Sequence, residues 1–106
     1  MLRGLSRAAI GLIAVSLPLT VPAGDAEIGA AKAQTCLGCH GVPGYRNAYP
    51  EYRVPKIGGQ TQQYLEDALR AYRDGGRDHP TMRAQARRLS DQDIQDIAAF
   101  FAGESE

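Results

Sequence analysis

The stretch Cys36-Leu37-Gly38-Cys39-His40 decides how this chain is read, because it holds the only two cysteines in 106 residues and one of the two histidines. Four chemistries use cysteines at this spacing. A disulfide here would close over two intervening residues and constrain the unfolded chain little. A thioredoxin-like dithiol belongs in a βαβ context, whereas the flanking sequence has helical patterns. Zinc needs further ligands, and His79 is the only other candidate, which leaves no second sulfur pair. The fourth is covalent haem attachment: two thiols one helical turn apart each add to a vinyl group, and the adjacent imidazole reaches the iron. That chemistry requires all three residues together, and it is the favoured reading.

Upstream, Arg3 and Arg7 precede the apolar run Ala8 to Leu17, followed by Pro18 and the small-residue end Val21-Pro22-Ala23. This is the layout of a secretory signal cleaved after Ala23. A retained membrane anchor is the competing reading, but the run ends well short of the roughly 20 apolar residues that a spanning helix needs. Residues 1–23 are therefore expected to be a signal peptide and 24–106 one domain, with a mature formal charge of −2 and no stable membrane insertion. Export to the periplasm agrees with the motif, since bacterial haem attachment takes place outside the cytoplasm. A core that small is thin without a disulfide, metal or other insert, so something else must fill its middle.

Periodicity predicts three helices and no convincing strand, hence an all-α fold of three to four helices wrapped around one haem. The first starts near Gly24-Asp25, where Asp25 can cap, and runs through Ile28, Gly29 and Ala33 to Cys36. The second follows Thr61, carries Tyr64, Leu65, Ala68, Leu69 and Tyr72 on one face, and stops at Gly75-Gly76. The last is announced by Ser90 and Asp93 as a capping box and by Leu89 and Ile94 at staple spacing, with Ile94, Ile97, Ala98 and Phe101 as its buried stripe. Residues 41–60 and 76–89 have no clear period, although the second stretch leaves room for a short helix after Pro80. Long connections in so small a domain suggest something to wrap around.

Haem iron has a second axial position, and a thioether there stabilises the ferrous state. Once Met1 leaves with the signal, Met82 is the only methionine. His79, three residues away, is the competing ligand, its other use being a loop or helix-cap residue. An open site is the third possibility.

With these residues in place, the chain resembles a class I cytochrome c, and most nearly one half of the diheme c-four type. The resemblance rests on Gly24-Asp25 and Gly29 ahead of Cys36-Leu37-Gly38-Cys39-His40-Gly41, on Pro55-Lys56-Ile57-Gly58-Gly59-Gln60, Tyr64-Leu65, Met82, and Leu89-Ser90-Asp91-Gln92-Asp93-Ile94. It implies that the first and last helices cross, with Gly29 or Ala33 meeting Phe100 or Phe101. It also implies that the Pro55 carbonyl accepts a hydrogen bond from His40, orienting the axial imidazole. Two departures stand out. There is one haem motif where the diheme members have two, and Tyr45 to Tyr52 carries three tyrosines where small and polar residues are usual. Those rings are expected to pack on the porphyrin, to cap a partner surface, or to lie half-buried in a solvated loop.

Six arginines lie between Arg70 and Arg88 against Asp74 and Asp78, whereas five acids and no base follow from Asp91 onward. The molecule is expected to be dipolar, with Arg77, Arg83, Arg87 and Arg88 steering an acidic redox partner toward the haem edge. A solvated face with one arginine on a propionate is the plainer alternative. Near-neutral charge and the lack of a reading motif speak against nucleic acid, and no nucleophile–base pair suggests an enzyme. The expectation is a soluble carrier of single electrons between redox partner proteins, or alternatively a haem c subunit permanently bound to a dehydrogenase or oxidase complex.

Overall fold

The computed structural model describes Gly4, residues 6–18 and residues 23–105. Arg3, Val21 and Pro22 of the leader reading, Met1 and Glu106 lie outside them. Residues 6–18 have no regular structure, and Ile10, Leu12, Ile13, Val15 and Leu17 are exposed. No helix among the described residues is long and apolar enough to cross a membrane.

The domain is mostly helical, with five helices rather than three to four, and a small β-hairpin that periodicity did not predict. α1 (Ala26–Lys32) begins as expected, because Asp25 Oδ1 accepts the backbone N–H groups of Glu27 and Ile28 at 2.9 and 3.1 Å. It does not run on to Cys36. At the fully buried Ala33 ψ opens to 3°, and the haem-motif residues fall on a separate α2 (Gln34–His40).

β1 (Arg46–Ala48) and β2 (Glu51–Arg53) pair antiparallel, with Arg46 opposite Arg53, Asn47 opposite Tyr52 and Ala48 opposite Glu51. Three residues per strand are too few for alternation to be legible in the sequence, which is why the segment reads there as a loop. The turn at Tyr49-Pro50 contains a cis peptide bond.

α3 (Gln62–Asp74) starts at Thr61, whose Oγ1 accepts the Tyr64 N–H at 3.2 Å, and ends at Gly75, where φ of 92° suits glycine. α4 (Pro80–Ala86) is the short helix after Pro80, and proline fits its first turn because the missing N–H has no partner there anyway. α5 (Asp91–Gly103) carries the complete capping box: Ser90 Oγ accepts the Asp93 N–H, and Asp93 Oδ2 accepts the Ser90 N–H, both at 3.0 Å.

Ala33, Leu65, Ile97, Ala98 and Phe101 form the core, and Ile94 is fully buried. Tyr64, expected on the buried face of α3, is instead half exposed. α1 crosses α5 at Gly29, where a Cβ would run into the Asp96 carbonyl and crowd Phe100. The crossing is tied by Lys32, whose Nζ lies 2.8 Å from Asp93 Oδ1 and 2.7 Å from Asp96 Oδ2. Asp96 is buried, and its Oδ1 also accepts the Asp25 N–H and the Gln92 amide, each at 2.9 Å. The Lys32 ammonium holds both carboxyls below the usual range, and they raise the lysine in return.

Candidate functional site

His40 closes α2, and its Nδ1 lies 2.6 Å from the Pro55 carbonyl oxygen. A carbonyl only accepts, so the ring proton sits on Nδ1 and the Nε2 lone pair is left available to a metal. Cys36 and Cys39 are half-buried free thiols on the same helix. Burial pushes the Cys36 thiol up, the opposite of what a reactive dithiol requires. Among the described residues no three His, Cys, Asp or Glu side chains gather as a metal site, so the zinc arrangement weighed from the sequence does not form.

Met82 lies in the first turn of α4, half-buried, and its N–H donates to His79 Nδ1 at 3.3 Å. His79 thus serves as the helix cap. Its ring stands edge-on to Tyr52 and Tyr72, with centroids 4.9 and 6.2 Å away.

The helices bearing His40 and Met82 do not pack on each other: among the described residues, backbone contacts join α2 to α1 alone and α4 to α3 alone. Cys36, Leu37, Ile57, Leu69 and Leu89 touch the core but stay only partly buried. A cavity of about 210 Å³ opens on the His40 side, bounded by Leu37, Lys56, Gly58 and Phe101, and Met82 is not among its walls. Two thiols on one turn and an imidazole with a free nitrogen, beside incompletely buried apolar side chains, fit a covalently attached haem, and Met82 offers a thioether on a separate helix.

Such a donor set on such a helical frame defines a small c-type cytochrome. Residues 26–103 match the family model for cytochrome c, and the chain belongs to that family, whose cofactor is covalently attached haem c, one in a domain of this size. It is 45 % identical over 85 residues to cytochrome c-554(548) of Halomonas halodenitrificans, with 77 % of this chain and 99 % of that protein covered. To cytochrome c4 of Pseudomonas aeruginosa it is 43 % identical over 82 residues, covering 77 % of this chain but 39 % of that protein. The crystal structure of reduced recombinant cytochrome c4 from Pseudomonas stutzeri superposes with a TM-score of 0.64 at 37 % identity, over 77 % of this chain and 46 % of that one. The match thus spans less than half the length of these two c4 proteins, in keeping with its likeness to one half of that type.

Asp91 is paired with Arg73 at 2.8 Å and Arg70 at 4.0 Å, and Asp93 and Asp96 share Lys32, so part of the acid-rich end is paired where it stands. Arg77, Arg83, Arg87 and Arg88 are exposed, and the Arg77 guanidinium lies 4.6 Å from the Tyr72 ring centroid. Sequence reasoning missed Asp96, which reads as one more surface acid, and Thr81, whose hydroxyl lies 2.9 Å from the Tyr52 hydroxyl.

Proposed function

We propose that this protein is a periplasmic monohaem cytochrome that carries single electrons between redox partner proteins. In this reading Cys36 and Cys39 would hold the haem through thioethers, His40 and Met82 would ligate its iron, and no residue is catalytic. The observation that carries it is the 2.6 Å bond from His40 Nδ1 to the Pro55 carbonyl, which presents Nε2 as an oriented ligand. When bound, the haem supplies a one-electron ferric/ferrous couple.

The chain's own residues do the rest. Pro55 fixes the imidazole and increases its basicity, while the Met82 thioether favours the ferrous state and raises the potential. Leu37 and Phe101, in the cavity wall beside His40, exclude water from the site. A leader over residues 1–23 is supported by the exposed apolar side chains Ile10 to Leu17, which join no core. Arg83, Arg87 and Arg88, beside Met82 in sequence, steer an acidic partner.

The deciding experiment is optical. The oxidised holoprotein should show a red-region sulfur-to-iron charge-transfer band that disappears in Met82→Ala. A wild-type protein without that band, binding carbon monoxide rapidly when reduced, would rule out thioether ligation.

A further inference from the structure

The hairpin makes contacts that the family resemblance does not call for. Tyr52 stands at the half-buried centre of β2. Its hydroxyl is 2.9 Å from Thr81 Oγ1, on the residue immediately before Met82, and its ring meets His79 edge-on at 4.9 Å. His79 accepts the Met82 N–H and leans in turn on Tyr72 of α3, which carries the Arg77 guanidinium at 4.6 Å from its centroid. Side chains from β2 and α3 thus converge on the first turn of α4.

That turn needs support. A seven-residue helix is not stable by itself, and the backbone of α4 packs against α3 alone. Apart from Met82, its one residue withdrawn from solvent is Ala86. The hairpin is well placed to supply the support because its own geometry is pinned: Asn47 donates to the Pro50 carbonyl at 2.7 Å, and the Val54 N–H to the Tyr45 carbonyl at 3.0 Å. Three residues beyond Tyr52 comes Pro55, whose carbonyl holds His40. One short segment therefore touches the supports of both proposed ligands.

We infer that Tyr52 is a positioning residue, clasping the first turn of α4 through Thr81 and His79 so that Met82 stays at the iron. The inference rests on the reading of Met82 as the second axial ligand. The clasp sets how readily an outside ligand displaces the thioether, and through that the reduction potential.

The test uses the mature holoprotein and five variants: Tyr52→Phe, Thr81→Val, their double, Tyr52→Ala and Met82→Ala. Imidazole displacement of the sixth ligand is followed in the oxidised state, together with the charge-transfer band and the reduction potential. Loss of one neutral hydrogen bond should speed displacement about three- to tenfold in each single variant. The double variant should be no faster than the singles, since both remove the same bond, and all three should show a lowered potential. Tyr52→Ala, which also removes the ring from His79, should be faster again; if it does not fold, the Phe and Val variants decide. Unaltered rates and potentials, with the band present in wild type and lost in Met82→Ala, overturn the clasp alone. A wild type with no band, unchanged by Met82→Ala, overturns the ligand reading and the clasp with it.

Discussion

Lys32 and Asp96 meet across the α1–α5 crossing, Nζ to Oδ2 at 2.7 Å, one helical turn from the point where Gly29 lets the two backbones touch. The ion pair thus locks a crossing that the glycine makes possible. It also makes the fold's pH response depend on three groups that lie away from the proposed haem ligands.

Asp93 and Asp96 have folded-state pKa values below the ordinary 3.8, chiefly through hydrogen bonding to Lys32, so the unfolded chain binds protons first as pH falls. Their contribution is fully present above the unfolded carboxyl value and is lost as pH drops through the folded values. Lys32 is raised above 10.5, so its contribution holds below that value and is lost as pH climbs through its folded pKa. Denaturant unfolding across pH should therefore show a plateau between about pH 4 and 10 from this network. Asp96→Asn should lower the plateau and flatten its acid limb. An acid limb identical to wild type would show the pairing to be energetically silent.

Gly29→Ala should destabilise the domain despite alanine's better helix propensity. The added methyl meets the Asp96 carbonyl, a backbone atom that cannot swing aside. Overpacking of this kind costs about 1–3 kcal/mol, against a propensity gain of about 1 kcal/mol at most. Thermal unfolding of the holoprotein should register a net loss of up to roughly 2 kcal/mol, or up to about 15 °C in Tm. A Tm at or above wild type would mean that the helices separate at no cost.

Replacing Arg83, Arg87 and Arg88 together with glutamine should slow electron transfer to an acidic partner about tenfold at low ionic strength and leave it nearly unchanged at high salt. Stopped-flow rates across a salt series would measure this. Wild-type rates that do not vary with ionic strength would remove any steering role.

What could be read from the residue order alone was whatever is settled within about one helical turn. Asp25, Thr61 and the Ser90–Asp93 box cap helices through bonds spanning two or three residues, and Gly75 stops α3 by its own backbone freedom. The motif from Cys36 to His40 is equally local, and it brought the cofactor and the family with it. Side chains with distant partners were not legible. The break at Ala33 is packed among core residues from α3 and α5, and the strands of the hairpin are too short to show a period. Asp96 becomes a buried anchor only because Lys32 arrives from 64 residues away, and Tyr52 finds Thr81 across 29. Local chemistry settled where α1, α3 and α5 begin and which group the domain carries. Only the folded chain, by bringing remote side chains within bonding distance, decided what holds the crossing and what braces Met82.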